Sequence, residues 1–338
     1  MQRAAVCLLG LFVLFASAEL VVDITLSSNV YAFGDDIYVN WELKNVGSDV
    51  ESFLIWGTPL ENDWNANMFL IRQETGESAE YQGKLMKRVP PSEEHYIYLA
   101  PQESRRGVML LSAGYKFFHA GTYYVTMGVV HHSIEGGRGR PLFSNKVELL
   151  VNTPEVKVKH VPKVNGKNAV TFTACTSSET TITNTAISNA ISASQNAENY
   201  FGCSNRDMYV KWFGTYTSTN YNKIQSDFSK INNFLAGRNF GIDCSCNQPG
   251  TYAFVYPSDP TSTIHLCPVF WQATADPYDW NSQPGTLTHE GSHFNAVCGT
   301  DDIQYGVTGC LALAQSDPNS AVKNADSHEY FQENKPSC

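Results

Sequence analysis

His289, Glu290 and His293 stand in the order H-E-x-x-H within the stretch Gly285-Thr286-Leu287-Thr288-His289-Glu290-Gly291-Ser292-His293-Phe294. On a helix, residues four apart share a face. Both imidazoles can then bind one Zn²⁺ while Glu290 projects beside them, placed to take a proton from water at the metal. Leu287 and Phe294 give the motif apolar flanks, and Gly291 costs a helix interior about 1 kcal/mol, which is tolerable. The bland alternative is two surface histidines on an ordinary helix. A catalytic zinc takes three protein ligands and keeps a fourth position open. The metzincin pattern would supply a third histidine, but positions 296 and 299 are Ala296 and Gly299 where it requires Gly and His. Two carboxylates remain as candidates. Glu329 would come from a later helix, and Asp302 follows a glycine break at Gly299, where the chain can turn back toward the metal.

Such a site needs a scaffold, and the second half of the chain reads as one. Ile182, Ala186, Ile187, Ala190, Ile191 and Ala193, then Phe228, Ile231, Phe234 and Leu235, recur at helical spacing. Thr251–Tyr256 and Thr263–Leu266 predict a short strand pair joined through the turn Pro257-Ser258-Asp259-Pro260. Residues 169–338 therefore predict a mainly α, α+β domain with a small sheet. Residues 19–151 instead show short alternating runs at 20–26, 37–43, 123–130 and 147–151, separated by turn signals, which predicts an antiparallel β-sandwich of immunoglobulin-like type. Between them, 152–168 carries Pro154, Lys157, Lys159, Pro162, Lys163, Gly166 and Lys167, an exposed, protease-sensitive linker.

Residues 1–18 begin with a basic end at Arg3, run through apolar Val6–Phe15 and close on Ala16-Ser17-Ala18, the pattern of a signal peptide cut before Glu19. No later run approaches the roughly 20 apolar residues of a membrane span, so a secreted, extracellular product is expected. A net charge of −10 over 338 residues argues against polyanionic partners, neither nucleic acid nor membrane. Cys7 leaves with the signal, and Cys175, Cys203, Cys244, Cys246, Cys267, Cys298, Cys310 and Cys338 all lie beyond residue 170. An even count in an exported half predicts disulfides. A cysteine-ligated zinc site is the rival, but Cys244-Ser245-Cys246 lacks the C-x-x-C spacing of a zinc knuckle.

Gly299-Thr300-Asp301-Asp302-Ile303-Gln304-Tyr305-Gly306 reads G-T-x-D-x-x-Y-G, and together with H-E-x-x-H it resembles the signature of the aspzincins, the deuterolysin and peptidyl-Lys metalloendopeptidase family. The likeness runs over about 173–333 and includes Cys175-Thr176-Ser177-Ser178, Trp212-Phe213-Gly214, Phe270-Trp271 and Asn324-Ala325-Asp326. The resemblance implies a zincin catalytic domain with one Zn²⁺, Asp302 as third ligand, and hydrolysis of protein or peptide substrates with Glu290 as base. It makes Tyr305 a hydrogen-bond donor to the developing oxyanion; on residue type alone Tyr305 is equally a core tyrosine. It pairs Cys175 with Cys244 and Cys246 with Cys267, each contributing about 2–4 kcal/mol. The pairing of Cys203, Cys298, Cys310 and Cys338, which exceed the family's shorter set, stays open. Asp301 reads as a solvated neighbour of Asp302, and His265 and His328 as surface or supporting residues.

Asp326 and Glu329 are three apart and face the same way if their segment is helical. Two converging carboxylates suit a lysine ammonium better than the broad guanidinium of arginine, although an acidic helix start has the same spacing. The resemblance places both acids where lysine-selective members hold theirs, and so implies cleavage on the amino side of lysine. From residue 169 onward there are 15 acidic against 7 basic side chains, a half that favours cationic substrates. The first half shows no catalytic cluster. It is expected to act as an intramolecular inhibitor of a proenzyme until the linker is cut, by the enzyme itself before Lys157, Lys159, Lys163 or Lys167; a permanent, non-catalytic accessory domain is the alternative. The alternatives are an aspzincin of relaxed specificity and a silent secreted binding protein on a zincin scaffold; intact His289, Glu290, His293, Asp302 and Tyr305 oppose the second.

Overall fold

The alternating runs of the first half become strands. A computed structural model describes residues 20–134, 139–152 and 169–337; the signal peptide and all but the first residue of the expected linker lie outside the described residues. One sheet orders Leu20–Leu26, Tyr38–Asn45 and Ser104–Leu110, all antiparallel. A second orders Val30–Ala32, Arg140–Asn152, Gly121–His131 and Phe69–Gln73. Period-two burial along Gly121–His131 turns Tyr123, Val125, Met127 and Val129 inward, where they share one core with Val39, Trp41 and Leu43 of the first sheet. One pairing departs from the all-antiparallel expectation: Val30–Ala32 runs parallel to Leu150–Asn152. Its cause is a switch between sheets. Ile24 already exchanges backbone hydrogen bonds with the Asn145 side chain, so residues 24–32 run on beside 145–152 in one direction.

The second half is helical. Ser177–Tyr200 opens on a capping box between Thr176 and Glu179, and its buried Ala186, Ala190, Ala193 and Ala197 let neighbouring helices approach closely. Trp212, Phe213, Phe228, Tyr330 and Phe331 fill the core around it. No helix among the described residues is long and apolar enough to cross a membrane.

The sheet of the second half contains a strand from the first. Its order is Thr171–Thr173, Gly241–Asp243, Thr263–Leu266, Thr251–Val255 and then Leu85–Arg88, which adds antiparallel to the edge strand Thr251–Val255. Disulfides Cys175–Cys244 and Cys246–Cys267 fasten this sheet to the loops around it. The expectation that the exported half pairs its cysteines throughout fails at two positions. Cys203 is disulfide-bonded, but Cys298 and Cys310 are free thiols. Each is held in packed surroundings of its own, Cys298 against the Asp227 carbonyl and Cys310 against Gln304 and Asn324. An even count carries no information about which sulfurs meet.

Candidate active site

Every residue of the helix Gln283–His293 is buried. It starts at Ser282, whose Oγ accepts the Gly285 N–H at 2.9 Å, with Pro284 in the first turn where it removes no needed hydrogen bond. Ser282 also donates through N and Oγ to Glu333 Oε1, both at 2.8 Å, which locks this helix to Ala325–Glu333. Gly285 is required there, because a Cβ would lie 2.0 Å from Glu333 Oε1 and 3.0 Å from Glu329 Oε1. The chain leaves the helix at Phe294 and turns at Gly299, whose φ of +60° favours glycine. Thr300 then returns against the helix end, donating to Ser292 O and accepting His293 Nδ1 at 2.8 Å.

That return delivers Asp302. Its Oδ1 lies 3.1 Å from His289 Nε2 and 3.4 Å from His293 Nε2, and the two rings stand 4.8 Å apart at 86°. Both Nε2 atoms are buried and have no hydrogen-bond partner. The hydrogen bond from His293 Nδ1 to Thr300 O turns the Nε2 lone pair inward. Two imidazole lone pairs and a carboxylate oxygen converging in a buried place form a donor set that fits Zn²⁺. Burial opposes the Asp302 charge, but the His293 and His289 imidazoles hold its carboxyl well below the usual range. Beside them, burial pushes Glu290 up to about 7.

A second acidic cluster faces the other side of His289. Asp326 Oδ1 is 3.0 Å and Glu329 Oε2 3.2 Å from His289 Nδ1. A cation already occupies it, and that cation is the Lys87 ammonium from the added strand. Lys87 Nζ donates to Glu329 Oε2 at 2.6 Å and Asn281 Oδ1 at 3.1 Å, lies 4.0 Å from Asp326 Oδ1, and sits over the Tyr252 and Tyr330 rings at 5.0 and 5.7 Å. Burial works against its charge, but the nearby Glu329, Asp326 and Glu333 side chains outweigh that and hold the ammonium above its ordinary value. The acidic cluster is thus filled by the chain's own Lys87 ammonium.

Residues 202–333 match the aspzincin family described as "Lysine-specific metallo-endopeptidase". An extracellular protease of Aeromonas hydrophila is 33% identical over 90% of this chain and 89% of its own. The chain belongs to the aspzincin family. Among other relatives, a peptidyl-Lys metalloendopeptidase of Armillaria mellea is 36% identical over 71% of this chain and 69% of its own, and one of Pleurotus ostreatus 44% identical over 49% and 98%. This aspzincin is a zinc metallopeptidase.

In this aspzincin the expected site residues come together, with roles that divide more finely than their spacing implies. Glu329 is the direct partner of the ammonium. Asp326 bridges three groups, since its Oδ2 also accepts the Gly306 N–H at 2.8 Å and so ties the loop after Tyr305 to the pocket. Burial and the Asp302 charge raise the Tyr305 phenol above its ordinary value, which keeps it a donor; its ring packs against Trp56 and His132 of the first half. Asp301 is half-buried, and burial pushes it up to about 6. His265 pairs with Asp243 and stacks on Phe254, and His328 is buried beside Asp227, both away from the converging lone pairs. Sequence reasoning missed Lys87, Asn281, Glu333 and Thr300. Two of them left a signal: Thr300 is the threonine of the G-T-x-D-x-x-Y-G motif, and Glu333 lies four residues after Glu329 and so on the same helix face.

Proposed function

We propose that this aspzincin cuts peptide bonds on the amino side of lysine, at a site formed by His289, His293, Asp302 and Glu290, and is made as a proenzyme whose first half blocks that site. The observation that carries the reading is the Lys87 ammonium on Glu329 and Asn281, beside the paired histidines. A pocket that keeps a buried lysine charged is matched to that side chain in a substrate. Relatives named peptidyl-Lys metalloendopeptidases support it.

Zinc, held by His289, His293 and Asp302, would supply Lewis acidity and make water a nucleophile near neutral pH. Glu290 takes the proton from that water and passes it to the departing amine; a carboxyl group lifted to about 7 is suited to both transfers. Tyr305 donates to the carbonyl oxygen as negative charge gathers on it. Glu329, Asn281 and Asp326 seat the substrate lysine so that its own nitrogen is the one released.

Inhibition follows from occupancy. The Leu85–Arg88 strand covers the edge strand, Lys87 fills the pocket, and the Met86 and Lys87 N–H groups donate to Asp302 and Glu290. The Pleurotus relative aligns over 98% of its own length with only 49% of this chain, which supports a catalytic half able to stand without the first. Cutting within 153–168 and removing the first half is expected to raise hydrolysis of a lysine peptide by at least about tenfold, with added first half suppressing it again. Equal activity of intact and trimmed protein would end the inhibitory reading.

A further inference from the structure

We infer that the Met86–Lys87 peptide bond is a self-cleavage site: the blocking strand is held as a substrate, and the zinc-loaded chain hydrolyses it there. This rests on the lysine-directed reading, and differs from the expected cuts in the linker.

The strand adds to the sheet edge as an extended peptide does, with Lys87 opposite Ala253, Met86 opposite Phe254 and Leu85 opposite Val255. Its backbone spans the reacting groups. The Met86 N–H donates to Asp302 Oδ2 at 3.1 Å and the Lys87 N–H to Glu290 Oε1 at 3.2 Å. The Met86 carbonyl carbon, bonded to the Lys87 nitrogen, therefore lies between a ligand of the proposed metal site and the base. The nitrogen that must leave already touches the carboxylate that would protonate it. The side chains agree with the backbone: Lys87 occupies the lysine pocket, and Met86 packs on Phe254, Tyr256 and the Cys246–Cys267 disulfide. The edge pairing, the two backbone contacts and the seated Lys87 side chain all fix the strand in one orientation across these groups.

The step consumes one water. Its oxygen bonds to the Met86 carbonyl carbon, the bond to the Lys87 nitrogen breaks, one water proton travels through Glu290 to that nitrogen, and the second leaves the new carboxyl group for the released amine. Met86 is left with a carboxylate and Lys87 with an ammonium terminus. The cut ends stay tethered, because Leu85 is buried in the core of the first half and Arg88 is ion-paired with Glu61 and lies 4.8 Å over Trp56. Cleavage here loosens the block without releasing the first half.

The full chain is purified in chelator, given zinc, and its new amino termini are sequenced over time, with Glu290→Gln as the inactive control and an added lysine peptide as a reporter. A terminus at Lys87 is expected, absent in Glu290→Gln, slower in Lys87→Arg, and forming at a rate unchanged by dilution because the bond is already in its own site. Hydrolysis of the reporter while Met86–Lys87 stays intact would overturn the inference and leave the lysine reading standing. A rate that falls on dilution would also overturn it, since the cut would then pass between molecules. If the full chain hydrolyses neither bond nor reporter while the trimmed enzyme cuts the reporter, the inference alone fails; if the trimmed enzyme also leaves the reporter whole, the lysine reading fails and takes the inference with it.

Discussion

Glu290→Gln is expected to keep a full zinc complement while lowering kcat by roughly 10²–10⁴-fold, the usual share of a positioned acid–base group. Glu290 does not join the converging donor atoms of His289, His293 and Asp302; its Oε1 instead faces the peptide nitrogen of the docked strand. An amide of the same shape preserves packing and removes the proton carrier. Asp302→Ala is expected to do the reverse and lose the metal, because only two neutral imidazoles would remain where three donors are needed. Zinc analysis at limiting free metal, beside kcat on a lysine peptide, separates the two. Full zinc in Asp302→Ala, or zinc lost in Glu290→Gln, would contradict the division of roles.

Glu329→Gln is the change expected to cost lysine recognition most. Glu329 makes the 2.6 Å contact to the ammonium while Asp326 stands 4.0 Å away, so of two buried pairs the closer one is lost. Truncating one partner of a buried charged pair costs about 2–5 kcal/mol, which is roughly 30-fold or more in kcat/KM for lysine. Cleavage at other residues should fall much less, by only what the 3.2 Å contact of Glu329 Oε2 with His289 Nδ1 contributes to the metal site. Asp326→Asn is expected to act partly through the metal: its Oδ1 lies 3.0 Å from His289 Nδ1, and losing such an orienting partner commonly costs 10–100-fold in metal affinity. Comparing kcat/KM for lysine and arginine peptides with zinc affinity in both variants tells pocket from metal support. Unchanged lysine preference in Glu329→Gln would remove it from the pocket.

Features built from neighbouring residues are legible in the sequence. Four-residue spacing puts His289 and His293 on one helix face, Gly299 marks the turn that returns Asp302, and three-residue spacing puts Asp326 and Glu329 side by side. Period two likewise locates strands such as Gly121–His131. What escapes is non-local. Lys87 meets Glu329 across 242 positions of chain, and no spacing rule reaches that far. Its strand also lacks a pattern: Leu85, Met86 and Lys87 are all buried, because Leu85 packs in the core of the first half while Met86 and Lys87 pack against the second. Asn281 sits with φ of +58° just before the helix cap, and reads as an ordinary loop residue until the ammonium is seen against its Oδ1. The sheet-switching start at 24–32 and the thiols of Cys298 and Cys310 are hidden for the same reason, since each depends on which distant segment lies alongside.

Lysine-directed cleavage is tested most directly by what the trimmed, zinc-loaded enzyme does to a mixture of denatured proteins. Mass spectrometry of the peptides gives the residue that follows each cut. The geometry of Glu329, Asn281 and Asp326 predicts lysine there in the great majority of cuts, with arginine rare and all cutting abolished by a chelator. Cuts spread over many residue types, or persisting in chelator, would contradict it.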